Sequence, residues 1–235
     1  MKNLLITGGS RGLGRELINV YYANGYNVFT VVRKQEDGQK LSKEFANHFT
    51  PIVANLVDDN CIDIIKDILT RSINHLDILI NNAGIPGRAY KIADVTSTEM
   101  KSLFDIHCLA IIRTTQATLN LLRNSQKPKI VNITSRLGSL SAMSSGEFDG
   151  REFSYSYRIA KASQNMLSIC LKQEFKTCNI NVISIHPGRM QTQSGSSDAD
   201  SSPLKSAENI YKWVQNDNLN KEGTFTEPYE RDWNW

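Results

Sequence analysis

An α/β fold, a doubly wound parallel sheet built as a single domain over residues 1–235, is predicted by three features of the sequence. Short apolar runs alternate with segments of helical periodicity along the whole chain. The runs are apolar on both faces, as strands are when helices cover a parallel sheet from either side. The first run ends in a glycine-rich turn, Thr7-Gly8-Gly9-Ser10-Arg11-Gly12-Leu13-Gly14, that opens the first helix. A chain of 235 residues is long enough for one large core.

Residues 4–7 are short, apolar and bounded by glycine, which predicts a buried strand. Residues 11–24 carry Leu13, Leu17, Val20 and Tyr21 near helical spacing and stop at Gly25. Residues 27–33 are rich in β-branched side chains and predict the second strand. A polar helix over 38–48 and a third strand over 51–55 follow. Ile62, Ile65 and Leu69 mark a helix over 58–73, and residues 76–84 form a fourth strand running into a turn. Thr96 opens a helix predicted to run unbroken to Leu122, with Thr96 and Glu99 as a capping box in which each side chain bonds the other's free amide. A fifth strand (129–135), a long helix (153–175) and a sixth strand (180–188) come next. A Ser/Asp/Gly-rich mobile loop (191–203), a short helix (206–215) and a last strand near 224–226 close the chain.

Composition narrows the class. Apolar residues make up 40% and charged residues 22%, an ordinary globular balance. The net charge of +3 is spread along the chain, which argues against a nucleic-acid partner. No stretch reaches the roughly 20 apolar residues that span a bilayer, so no membrane partner is expected. The start of the chain lacks the apolar run of a signal peptide. Cys61, Cys108, Cys170 and Cys178 lie far apart without CxxC spacing, which predicts reduced thiols, a cytoplasmic protein and no metal site.

A glycine turn between a strand and a helix is either a tight connection or a phosphate cradle. The helix start presents free N–H groups and a partial positive charge, and glycine lets the backbone approach a pyrophosphate. Here the spacing is TGxxxGxG, not the GxGxxG of long-chain dehydrogenases. Asn81-Asn82-Ala83-Gly84 ends the fourth strand and Ser135 the fifth. Tyr157-Arg158-Ile159-Ala160-Lys161 reads YxxxK, and Pro187-Gly188 ends the sixth strand with Thr192 four residues on. These motifs, in this order, resemble the short-chain dehydrogenase/reductase family over almost the full chain. Within that family, "ITSRLGSL", "YRIAKAS" and the Trp-ending tail are similar to sniffer-like and C-factor-like carbonyl reductases.

The resemblance implies a Rossmann-type nicotinamide dinucleotide site made by Gly8, Ser10, Arg11, Gly12, Leu13, Gly14, Arg33, Asn55, Leu56, Asn82, Ala83, Gly84, Tyr157, Lys161, Pro187, Gly188, Met190 and Thr192. NADP(H) is expected over NAD(H). The acidic residue that would accept from a ribose 2′-hydroxyl is replaced by Val32, while Arg33 and Arg11 offer guanidinium donors to a 2′-phosphate. Tyr157 and Lys161, four apart, share a helix face, and an ammonium beside a phenol stabilises the phenolate and lowers its pKa. Ser135 can hydrogen-bond a substrate oxygen where charge develops. The resemblance implies that Tyr157 protonates the carbonyl oxygen and that Lys161 also holds the nicotinamide ribose.

Two residues depart from the family pattern. His107 stands where the family has an asparagine after the F-x-V pattern, and three readings stay open: a tolerated substitution, a proton shuttle with a catalytic role, or lost activity. Asn55 replaces an aspartate that contacts adenine and still offers a carbonyl acceptor. Residues 136–154, predicted as a surface loop over the substrate mouth, and residues 189–205, with a lid, would shape specificity. Met143, Phe148, Phe153 and Met190 either line that pocket or pack the loops.

The expected activity is NADPH-dependent reduction of a small-molecule ketone or aldehyde, or the reverse alcohol oxidation. Two alternatives stay open: an NADP-binding sensor or scaffold without turnover, and a dehydratase or epimerase of the same fold. The resemblance implies a homodimer or homotetramer paired through the helices at 96–122 and 153–175, with Met100, Phe104, Cys108, Ile111 and Ile112 on the exposed face of the first; burial of that face against the protein's own core, and a monomer whose long Ser135–Tyr157 loop blocks pairing, stay open.

Overall fold

The computed structural model describes residues 1–190, 201–216 and 225–235. Strands β1 (Asn3–Thr7), β2 (Asn27–Val32), β3 (Phe49–Val53), β4 (Ile78–Asn81), β5 (Lys129–Ile133), β6 (Asn181–Ile185), β7 (Phe225–Glu227) and β8 (Arg231–Trp233) form one 8-stranded sheet in the order β3-β2-β1-β4-β5-β6-β7-β8. All pairings are parallel except β7 with β8. The order reverses between β1 and β4, the switch point outside which doubly wound sheets bind ligands.

The helices are α1 (Gly12–Ala23), α2 (Gln35–Glu44), α3 (Cys61–Ser72), α4 (Ser97–Phe104), α5 (Ala110–Arg123), the short α6 (Leu140–Ser144), α7 (Tyr155–Phe175) and α8 (Pro203–Gln215). Side-chain alternation along β1 divides the core. Leu4 and Ile6 join a cluster with Leu17, Tyr21 and Trp213 on one face. Leu5 joins Phe29, Ile65, Leu121 and Phe175 on the other. A smaller cluster of Ala142, Phe148, Phe225 and Trp233 lies at the β7–β8 end.

Several elements differ from the sequence reading. Helix α2 starts earlier and ends at Glu44, because Phe45 turns inward onto Phe49, ring centroids 4.7 Å apart, and His48 takes a left-handed φ of 59°. The expected unbroken helix after Thr96 is instead α4 and α5 joined by a π-helical segment, Asp105–Leu109. The wider turn carries His107, and such insertions occur most often at functional sites. Its Cys108 and Ile111 are buried, not exposed, because this side of the helix packs on the core.

Only half of the capping box forms. Thr96 Oγ1 accepts from Glu99 N at 3.2 Å, but Glu99 Oε1 accepts from Arg88 N at 2.6 Å and so fixes the preceding segment. The 136–154 loop is partly structured: Ser139 caps α6 and donates to Asn234 O at 2.5 Å, tying it to the C-terminal tail. Strand β8 was not foreseen, because three residues carry no readable periodicity. Of the predicted lid over 191–203, residues 191–200 lie outside the described residues, as does the start of the last strand at 224, while Ser202 caps α8 and Pro203 opens it.

Candidate active site

The cofactor motifs meet at the carboxyl ends of β1 and β4. Thr7 Oγ1 accepts from the amides of Asn82 and Ala83, each at 3.0 Å. Asn82 Nδ2 returns bonds to the carbonyls of Thr7 at 2.9 Å and Gly8 at 3.2 Å. Thr7 therefore staples the glycine turn to the Asn82-Ala83-Gly84 segment. A Cβ on Gly14 would collide with Gly8 O and come within 2.5 Å of Asn82 Nδ2, so the helix can sit this close to the turn only with glycine there.

This cradle passes a simple test for a phosphate ligand. Arg11 precedes α1 without capping it by a side chain, and no acidic residue occupies the first turn. The helix-end amides and the positive end of the dipole thus keep their capacity for an anion. Gly12, at φ 56°, has open space where a Cβ would point. Ser10 and Arg11 are exposed at the same turn, whereas the side chain of Leu13 is buried in the core.

Other predicted cofactor residues divide. Arg33 is exposed at the end of β2, next to buried Val32. Asn55 Nδ2 donates to Asp58 at 2.7 Å, which leaves its carbonyl oxygen as the acceptor. Leu56 turns its side chain into the core, and its carbonyl accepts from Arg113 Nη1 at 3.1 Å. Pro187 and Gly188 follow β6, with Gly188 at φ 86°. Met190 forms an isolated bridge with Ser201 and packs on the core cluster of β1. Thr192 lies outside the described residues.

Ser135, Tyr157, Lys161 and His107 do come together. Ser135 follows β5, and its hydroxyl, which accepts from Leu137 N at 3.2 Å, faces the Tyr157 phenol. Lys161 Nζ lies 5.6 Å from the centre of the Tyr157 ring. The His107 ring meets that ring edge-on, centroids 5.5 Å apart. The His107 Nε2 bonds Ile85 O at 2.9 Å, so Nε2 carries the proton and Nδ1 is the acceptor. That Nδ1 is buried and has no partner among the described residues.

Burial dominates the ionisations. It pushes Tyr157 up to about 12, with Ser135 pulling the other way. It pushes Lys161 down to about 7. The expected lowering of the phenol by the ammonium is therefore not what the structure gives, because both groups lose hydration and each favours its neutral form. His107 falls to about 3, by burial first and then by Lys161.

Residues outside the motifs orient the lysine. Lys161 Nζ donates to Ile133 O at 3.0 Å and to Gln164 Oε1 at 2.8 Å. Gln164 Nε2 bonds the same Ile133 carbonyl at 3.1 Å. Behind it, a buried polar chain runs from Ser168 through Asn132 and Asn81 to Thr114. Sequence reasoning missed these, although Gln164 sits at the i+3 position from Lys161 on the same helix face. It also missed His186, buried without a hydrogen bond to either ring nitrogen, which lies 3.9 Å from Glu227. Of the four candidate lining residues, Phe148, Phe153 and Met143 pack in the β7–β8 cluster, while Met190 does not join them.

Known proteins share this fold. The model of the short chain dehydrogenase family matches residues 2–202. C-signal of Myxococcus xanthus is 35% identical over 124 residues, spanning 53% of this chain and 71% of that protein. The solved structure of carbonyl reductase Sniffer of D. melanogaster superposes with a TM-score of 0.89 at 26% identity, over 100% of both chains. An NADPH-bound carbonyl reductase from chicken fatty liver superposes with a TM-score of 0.88 at 25% identity, over 100% of this chain and 99% of that one.

Proposed function

Because the chain belongs to the short-chain dehydrogenase family of oxidoreductases, we propose that it is an NADPH-dependent reductase of a ketone or aldehyde on a small molecule. The observation that carries this reading is the meeting of Ser135, Tyr157 and Lys161 in one place, with Lys161 Nζ 5.6 Å from the centre of the Tyr157 ring. The carbonyl oxygen would lie between Ser135 and Tyr157. Ser135 then stabilises the developing alkoxide, and Tyr157 delivers the proton. Lys161, held by Ile133 O and Gln164, has further donor capacity for the ribose hydroxyls. The bound nicotinamide supplies the hydride.

Several finer readings accompany it. The NADPH-bound carbonyl reductase, with Arg33 and Arg11 exposed near a strand end that lacks an acid, supports NADP(H) over NAD(H). The unpartnered Nδ1 leaves His107 a hydrogen-bond acceptor, while its pKa of about 3 argues against a proton shuttle and favours a tolerated substitution. Among the described residues no helix is long and apolar enough to cross a membrane, and four free thiols support a reducing compartment. A homo-oligomer is supported by exposed Phe104 (43%) on α4 and by Ile159 (47%) and Met166 (59%), seven apart on α7. A single monomer species in sedimentation at micromolar concentration would refute the oligomer.

The function is tested by NADPH oxidation with a panel of ketones and aldehydes. Carbonyl-dependent oxidation is expected. Binding of NADPH with no oxidation across the panel would favour the sensor reading, and product change without net cofactor change a dehydratase or epimerase.

A further inference from the structure

Arg136 directly follows Ser135 and opens a one-turn 3-10 segment, Arg136–Gly138, at the end of β5. It therefore stands at the carboxyl end of β5, where Ile133 O accepts from Lys161 Nζ. Its guanidinium lies over the Phe148 ring, 5.5 Å from the centroid. A cation–π contact engages no carboxylate and leaves N–H donors for another acceptor. Among the described residues, the Arg136 guanidinium has no hydrogen bond or ion pair. Yet the side chain is only partly exposed, and burial, followed by the nearby charge of Arg189, pushes its pKa below the ordinary arginine value. Arg151 adds a third positive charge within electrostatic reach.

Glu227 and Glu147 lie within electrostatic reach of Arg136 and pull its pKa the other way, but neither hydrogen-bonds or ion-pairs with it among the described residues. Glu147 pairs with Arg231. Glu227 faces the β6 side: its Oε1 lies 3.4 Å from where a Cβ on Gly188 would sit, and its Oε2 is 3.9 Å from His186 Nε2. A cation drawn partly out of water with no carboxylate in direct contact is unfavourable, and a bound oxyanion would offset that penalty.

We infer that Arg136 anchors an anionic group on the substrate, so that the preferred substrate is a carbonyl compound carrying an oxyanion, a carboxylate best matching the planar guanidinium fork. This inference rests on the reductase reading above, from which it takes the position of the reacting carbonyl beside Ser135. Arg136 would then set specificity rather than take part in proton or hydride transfer.

The test compares NADPH-dependent reduction of 4-formylbenzoate with that of its uncharged methyl ester. The wild-type kcat/KM ratio of acid to ester is expected to be about tenfold or more. Arg136→Met should bring the ratio near one, and Arg136→Glu should invert it. The ratio cancels any loss common to both substrates. A ratio near one in the wild type, or one unchanged in Arg136→Met, overturns the inference and leaves the reductase reading standing. Calorimetric binding of 4-(hydroxymethyl)benzoate in the presence of NADP+ needs no turnover. Binding at least tenfold weaker in Arg136→Met supports the anion site, and equal binding overturns it. Loss of all NADPH oxidation with that binding difference intact would sink the reductase reading alone.

Discussion

The two sides of the sheet hold their chemistry by different means. From β3 to β4 the candidate site is mostly backbone, with the Arg11 and Arg33 side chains at its margin: a glycine turn, a helix end with no side-chain cap, and a threonine stapling two loops. From β5 to β8 it is side chains. A lysine is held by a glutamine, two histidines have unbonded ring nitrogens, and an arginine lies on a phenylalanine. The first arrangement suits a ligand part that never changes, because backbone donors cannot be exchanged by mutation. The second can be retuned residue by residue, which suits variable substrates on a constant cofactor.

The contrast breaks most visibly at Tyr157. Replacing it with Phe removes the proton donor but keeps the ring, so turnover should fall by about two to four decades while NADPH affinity is kept. Steady-state rates and a fluorescence titration check both halves of that statement. Retention of most activity would mean that the side-chain half is arranged for something else.

On the backbone half, Gly14→Ala should damage stability and cofactor binding together, since the added methyl drives α1 away from Gly8 and Asn82. Overpacking of this kind costs about 1–3 kcal/mol. Thermal unfolding and NADPH titration should both shift. An unchanged affinity would show that the close approach serves packing alone.

Lys161 sharpens the comparison through pH. Its folded pKa, about 7, lies below the ordinary lysine value of 10.5. Between those values the unfolded chain holds a proton that the folded chain lacks, so stability should rise with pH across the window. Lys161→Met removes this dependence. The wild type should gain on the variant by up to about 1.4 kcal/mol per pH unit, measured by denaturant unfolding from pH 7 to 10. Parallel curves would mean that the buried lysine stays charged.

Arg33 carries a similar or smaller effect. Arg33→Ala should weaken NADPH about tenfold, or 1.4 kcal/mol, and leave NADH nearly unchanged. The difference should shrink with added salt. Equal loss for both cofactors would reassign Arg33 to the fold or the adenine pocket.

How far each half could be read in the sequence follows the same division. Gly8, Gly12, Gly14 and the Asn82-Ala83-Gly84 run are local in the chain and constrained by sterics, so their spacing betrays them. Tyr157 and Lys161 were legible because one helix face brings them together. Gln164 shared that face but belonged to no motif. His186, Glu227 and Trp233 converge only after β6, β7 and β8 are laid side by side, and short strands give no periodic signal. The π-helical turn at His107 was hidden too, because one unbroken helix gives nearly the same apolar spacing. The sign of the Tyr157 shift needed burial, which only the packed structure supplies.

The central claim is that Ser135, Tyr157 and Lys161 carry out carbonyl reduction with NADPH. Its most direct test is label transfer from NADPH deuterated at the reactive nicotinamide carbon, with 4-formylbenzoate as acceptor, for wild type and Tyr157→Phe. Deuterium at the new carbinol carbon, equimolar with oxidised cofactor and all but lost in Tyr157→Phe, is the predicted result. Bound cofactor with no label transferred, or transfer that Tyr157→Phe leaves intact, would contradict it.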